Sequence, residues 1–168
     1  MGRTIPSFRI AAVLEEEKWK PFRKYLRNQN EKKLFTHMFS IANLYNSASS
    51  NAVIPIKIYP ILMSIVFHHY KTLKEKNLFY KDHSPVVADL KKDISIENID
   101  NKNTILKREI EKWNNYYSVL RKPNRILFEE MLQSSYKYSD SINAKGEQFS
   151  TESLMLSLIF EQDKLINK

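Results

Sequence analysis

The chain has no cysteine and only two glycines, Gly2 and Gly146, among its 168 residues. The missing cysteine excludes disulfides, thiolate metal sites and thiol nucleophiles, and it suits a reducing compartment. Two glycines cannot build a Walker loop or a dinucleotide-binding turn, and no Gly-x-Ser-x-Gly elbow is present. With so little glycine and few alternating apolar stretches, strands joined by tight hairpins find no support either. Long hydrophobic runs are also absent. The most apolar stretch, Ala52 to Phe67, is 16 residues long and contains Pro55, Lys57 and Pro60, whereas a membrane span needs about 20. The opening MGRTIPSFRIAAVL carries no signal-peptide pattern, and Pro6 stands where myristoylation would want Ser or Thr. The expectation is a cytoplasmic, non-enzymatic protein that needs no cofactor and no metal and has no membrane partner.

What is present is apolar and basic. The composition is 42 % hydrophobic and 12 % aromatic, enough for a packed core in a chain of this length. Net charge is +8, which favours acidic protein surfaces or nucleic acid as partners. The excess lies at the front: residues 1–50 hold nine Lys and Arg against four Asp and Glu, whereas residues 101–168 hold eleven against nine.

The most informative pattern is an internal repeat. Glu15, Glu17, Lys18, Trp19, Leu26 and Arg27 recur 94 places later as Glu109, Glu111, Lys112, Trp113, Leu120 and Arg121. At an offset of 93, Leu34, Phe35, Met38, Tyr45, Ser64, Phe67 and Lys71 match Leu127, Phe128, Met131, Tyr138, Ser157, Phe160 and Lys164. A tryptophan, two phenylalanines and a methionine in one frame with a single gap are too many for two unrelated amphipathic segments.

Apolar spacing at i, i+3, i+4 and i+7 predicts helices throughout. The reading is an all-α protein: a basic arm over residues 1–10, a three-helix unit over 11–76, a connector over 77–104 and a second three-helix unit over 105–168. The two units are expected to pack as a pseudo-twofold bundle, because each is about 60 residues and too small to bury enough surface alone. In each unit the third helix is apolar nearly all round, Ile61 to Phe67 and Leu154 to Phe160, as befits the middle of a bundle. These helices are expected to cross near Ser64 and Ser157. The first helix is read as continuous from about Ala11 to Arg27 and kinked at Pro21, and Ser47 to Asn51 as a polar loop.

Candidate binding residues cluster in the first unit. Lys20, Arg23, Lys24 and Arg27 fall at i, i+3, i+4 and i+7, one face of a continuous helix. The second unit has Asn114, Tyr117, Ser118 and Arg121 there, so this charge belongs to one copy only. With Arg3 and Arg9 on the arm, and Lys32 and Lys33 opening the second helix, the face could meet phosphates or an acidic partner. It is equally a solvated helix face, with Glu16 positioned to pair with Lys20. Trp19 and Trp113 have the geometry to stack on bases but lie on the apolar face, so all four of Trp19, Trp113, Phe67 and Phe160 are expected in the core. His68 and His69 are adjacent, which points them apart on a helix and away from a shared metal. Glu15, Glu16 and Glu17 suit an opening helical turn better than paired acid–base catalysis.

The opening Met1-Gly2-Arg3-Thr4-Ile5-Pro6-Ser7-Phe8-Arg9, followed by Trp19-Lys20-Pro21-Phe22-Arg23, resembles a group of short archaeal helical proteins with an M-G-R-T-x-P-[ST]-[FY]-R amino terminus. They continue with Trp-x-Pro-Phe-Arg and end in an apolar helix like Leu154 to Asp163. The resemblance implies an archaeal cytoplasmic origin and no activity, and this chain reads as such a unit duplicated in tandem. The expected function is an interaction module for a protein partner, as a monomer with an internal pseudo-dimer or as a weak oligomer. The alternative is binding of DNA or RNA through backbone contacts.

Overall fold

A computed structural model describes residues 7–81 and 104–167, and these are helical with no strand among them. The first half holds α1 (Phe8–Lys18), α2 (Lys20–Lys24), α3 (Gln29–Ala42), a 3-10 turn (Asn43–Tyr45), α4 (Asn46–Asn51) and α5 (Ile58–Lys81). The second half holds α6 (Thr104–Glu111), α7 (Asn114–Val119), α8 (Lys122–Ser134), a 3-10 turn (Ser135–Tyr138), α9 (Ser139–Lys145), a second 3-10 turn (Glu147–Phe149) and α10 (Ser150–Ile166). Arg3 and most of the expected connector fall outside the described residues. Helix formation begins at Phe8, earlier than an arm over residues 1–10 anticipates.

The expected three helices per unit become five, for two local reasons. First, the opening helix is broken rather than kinked. α1 stops at Lys18, Trp19 sits at φ −90°, ψ 1°, and α2 starts at Lys20 with Pro21 in its first turn, where the missing amide costs little. Trp113 breaks α6 from α7 at φ −91°, ψ 0° although Asn115 replaces the proline. Proline is therefore not the cause. In both places the last turn tightens, the Trp19 amide donating to Glu16 O at 3.0 Å and the Trp113 amide to Ile110 O at 2.9 Å. Second, Ser47–Asn51 is not a loop but most of α4.

Caps account for the boundary that follows the first break. The Asn28 side chain accepts the Glu31 amide at 2.8 Å, and Glu31 accepts the Arg27 amide at 2.8 Å, a reciprocal cap that starts α3 cleanly. At the matching place the second half uses Pro123 in the first turn of α8. There the Arg125 guanidinium closes α7, donating to Leu120 O at 2.7 Å and to Ser118 O.

The succession of elements in the first half recurs in the second, and the fine detail recurs with it. Among the described residues Val53 and Gly146, 93 places apart, are those at positive φ, 55° and 90°. Lys18 pairs with Glu15 at 2.8 Å as Lys112 pairs with Glu109 at 2.6 Å. The ring of Tyr45 meets Phe67 at 5.5 Å and 67°, and Tyr138 meets Phe160 at 5.6 Å and 71°.

Packing between the halves departs from the expected pseudo-twofold. A twofold would match every α4–α7 contact with one between α2 and α9, and every α5–α8 contact with one between α3 and α10. α4 lies extensively against α7, and α5 touches α8, but no comparable α2–α9 or α3–α10 packing is found among the described residues. The main core accordingly joins the back of the first half to the front of the second: Tyr45, Ala48, Met63 and Phe67 with Trp113, Tyr116 and Phe128. A smaller core of Phe8, Ala12, Phe39, Ala42, Ile61 and Ile65 lies inside the first half. α5 and α10 do pack together, through Tyr59 on Glu152 at 2.5 Å and the Gln162 amide on Val66 O at 2.8 Å. Ser64 and Ser157 do not meet as expected. Ser64 bonds Ser49 at 3.0 Å and Tyr116 at 2.9 Å, while Ser157 donates to Leu154 O in its own helix.

This front-to-back packing corrects two core assignments. Trp113 is fully buried but Trp19 is 39 % exposed; Phe67 is fully buried but Phe160 is 50 % exposed. A residue's chemistry placed each on an apolar face, but only the arrangement of the halves decides which apolar faces are covered.

Candidate functional site

The basic residues of the first half divide into two groups. Because α2 ends at Lys24, Arg27 lies in the following turn and the i+7 relation of a continuous helix does not apply. Lys20 is tied to Glu17 at 2.5 Å. Lys24 and Arg9 are exposed, the latter near the start of α1. Arg23 turns toward α3, donating to Thr36 Oγ1 at 2.9 Å, and with Gln29, Lys32, Lys33 and Thr36 it lines a shallow depression of about 320 Å³. The structure thus brings together Arg23, Lys32 and Lys33. Glu31 stays close by as part of the α3 cap, so the basic surface has an acid inside it.

A second surface was not legible as a site. α9, the 3-10 turn before α10, and α10 frame an apolar groove of about 490 Å³ whose wall includes Tyr138, Ile142, Phe149, Leu156 and Phe160. Leu156 is 68 % exposed, and Ile159 beside it is half exposed. Lys164 lies over the Tyr138 and Phe160 rings at 4.9 and 4.7 Å, a cationic rim to the groove. Sequence reading put Leu156 and Phe160 in the core because α10 is apolar on every side. The available signal was that very feature: an all-round apolar helix has more faces than one neighbour can cover.

In the first half α2 and α3 form an apolar surface as well. Trp19, Phe22 and Phe35 make a chain of ring contacts at 6.1 and 5.5 Å, ending on buried Phe39 at 5.1 Å. Phe22 is 54 % exposed, and Tyr25 and Leu34 are exposed beside it. Along the chain the basic residues neighbour this ladder, Arg23 following Phe22 in α2 and Lys32 and Lys33 preceding Phe35 in α3.

The titratable groups in the interior have structural partners. Glu109 is buried, which raises its pKa, but hydrogen bonds from Lys112, Ser150 at 2.7 Å and Thr151 at 2.7 Å outweigh burial and hold the carboxyl below its ordinary value. It ties α6 to the start of α10. Ser150 therefore serves Glu109 and does not cap α10 with its side chain. Burial pushes Tyr116 up, its hydroxyl being held by Ser64. His68 faces Tyr45, its Nδ1 3.2 Å from the hydroxyl, and burial lowers its pKa. Among the described residues no helix is long and apolar enough to cross a membrane.

A family model described as a domain of unknown function (DUF8156) matches residues 1–97, more than half of the chain. The chain belongs to this family. The DUF8156 segment takes in α1 to α5, hence the aromatic ladder and the basic residues around it, while α6 to α10 with the apolar groove lie beyond it. No curated protein and no solved structure matches the chain.

Proposed function

We propose that this chain is a non-enzymatic interaction module whose partner is a protein. The observation that carries this reading is the open apolar groove of α9 and α10, with Leu156 and Phe160 half or more exposed on its wall. An exposed, contiguous apolar surface of this kind marks a binding face. The affected contact is side-chain packing, so a single charge placed in the groove should abolish it. Capture from a nuclease-treated extract of the native host with wild-type chain and with Leu156→Asp tests the reading. A protein retained by wild type and lost by the variant is expected; identical captures by both would end it.

A second reading has its own support. Arg23, Lys32 and Lys33 converge on one depression beside exposed aromatic rings, a combination that suits a nucleic-acid backbone and bases. Glu17, paired with the neighbouring Lys20, and Glu31, next to Lys32 in the chain, favour the protein partner over it.

A further inference from the structure

We infer that the partner is a second copy of this chain, seated front to back: the α2–α3 face of one copy on the α9–α10 groove of the next. This rests on the interaction-module reading above and names its occupant. The argument is continuity with the interface inside the chain. The two halves meet through the α4–α5 face of the first and the α7–α8 face of the second, with α10 also packed along α5. Among the described residues the faces left open are the counterparts of those two: the groove side of α9–α10, away from α5, and the α2–α3 face. Each chain therefore exposes both sides of a contact that it already makes once.

The counterparts agree residue by residue. In the internal contact Tyr116 fills the groove between α4 and α5 and Trp113 lies beside it, both fully buried, against Met63 and Phe67. In the open surfaces Phe22 stands for Tyr116 and Trp19 for Trp113; Leu156 stands for Met63 and Phe160 for Phe67. All four open residues are large, apolar and more than a third exposed. The receiving groove already has the geometry of the filled one, since Tyr138 and Phe160 sit as Tyr45 and Phe67 do.

The polar atoms match too. Tyr116 brings a hydroxyl that Ser64 must satisfy at 2.9 Å. Phe22 brings none, and Ser157, the counterpart of Ser64, already donates to Leu154 O at 2.7 Å. Docking therefore leaves no buried hydroxyl unpaired at that position.

Charge favours the same occupant. Inside the chain Arg121 lies in a cavity wall with Ser47 and His68, residues that give it no carboxylate. The counterparts are Arg27 on the front face, and Asp140, Glu161 and Lys164 on the groove side, where Glu161 also pairs with Lys137. The front is basic over residues 20–33, with six Lys and Arg against one Glu, and residues 139–167 are acidic, with five Asp and Glu against two Lys. A contact between unlike faces is heterologous, so it closes into a ring or grows as a filament according to the rotation per step.

The test uses the purified full chain in sedimentation velocity over a concentration series, at low and high salt. Wild type is expected to gain mass with concentration, and less so at high salt. Leu156→Asp blocks the groove and Phe22→Asp blocks the front. Each alone is expected to remain a monomer, with a circular dichroism spectrum and melt close to wild type because both side chains are largely exposed. Mixed in equal amounts they are expected to form a dimer and nothing larger, since each keeps the face the other has lost. If Leu156→Asp fails to fold, Ser141→Arg on the exposed groove wall takes its place. Wild type that stays monomeric, single variants that still assemble, or a mixture that stays monomeric would each overturn the inference. A monomeric wild type that still captures a different protein through Leu156 leaves the interaction-module reading intact; no Leu156-dependent binding of either kind ends both.

Discussion

Trp19 and Trp113 terminate their helices at the same backbone angles, −90° and 1° against −91° and 0°, yet the first is 39 % exposed and the second fully buried. The local structure of the two positions is one structure. Their surroundings differ because the second half offers its front to the first half, whereas among the described residues no other unit packs on the front of the first half.

The tryptophans should therefore have unequal energetic weight. Trp113→Ala removes a fully buried ring and is expected to destabilise by about 3 to 5 kcal/mol. Trp19→Ala gives up a partly exposed one and should cost about 1 to 2 kcal/mol. Urea unfolding of the two variants at a concentration low enough to exclude self-association checks the difference. Equal costs would contradict the front-to-back packing.

Ser64 is the polar centre of the contact between the halves, touching Ser49, Pro60 O and Tyr116. Ser64→Ala leaves the buried Tyr116 hydroxyl without this partner, at a cost of about 1 to 3 kcal/mol. Ser64→Leu overpacks the same fully buried site and is expected to cost a similar about 1 to 3 kcal/mol. Ser157→Ala should be milder, since Ser157 bonds only its own helix. A double-mutant cycle of Ser64→Ala with Tyr116→Phe is expected to show coupling, and additive costs would refute the hydrogen bond's role.

Glu109 makes stability depend on acid. Its folded-state pKa lies below that of the unfolded chain despite burial, because Lys112, Ser150 and Thr151 bond the carboxylate. The contribution is complete above the unfolded value, about 4.3 for glutamate, and is lost as pH falls through the lower folded value. Wild type should thus lose melting temperature over that acid range more steeply than Glu109→Gln. Parallel profiles for the two proteins would show that Glu109 does not carry the dependence.

Val53 occupies φ 55°, where its β-branched side chain is unfavourable, and it is exposed and packs little. Val53→Gly is expected to be neutral or stabilising by up to about 1 kcal/mol, the relief of the left-handed conformation exceeding the entropy of glycine. At the matching place Gly146 has φ 90° with open space around a would-be Cβ. Gly146→Ala should destabilise by about 1 to 3 kcal/mol through conformation alone. Opposite signs in thermal melts of the two variants are the expected result.

Binding of short duplex DNA through the basic depression would weaken with salt at a log–log slope of about −2.7, for three phosphate contacts by Arg23, Lys32 and Lys33. Reversing those three to Glu should abolish it, while Arg121→Glu should leave it unchanged. Titration at low salt with duplex and single strand settles the second reading: binding that survives the triple reversal removes it.

The helical class, the repeat and the aromatic pairs were legible because they depend on spacing along the chain and on side-chain chemistry, which both halves share. Periodicity put Trp19 and Trp113 each on an apolar face. The helix break at Trp19 was misplaced to Pro21, since proline is the louder signal while the true cause is a tightened last turn that both tryptophans undergo. Likewise Ser47–Asn51 looked like a loop by composition, but α4 gains its stability from packing on α7, as short helices do.

Sequence determined which residues are apolar enough to be buried, that the chain is helical and which positions in the two halves correspond. Only the tertiary structure decided which apolar faces are spent in joining the halves and which remain open. Burial depends on what lies across from a residue, and a front-to-back contact between equivalent units covers one face of each and leaves the complementary face of each exposed. For that reason Phe67 and Tyr116 are core while Phe160 and Phe22, their counterparts, are surface.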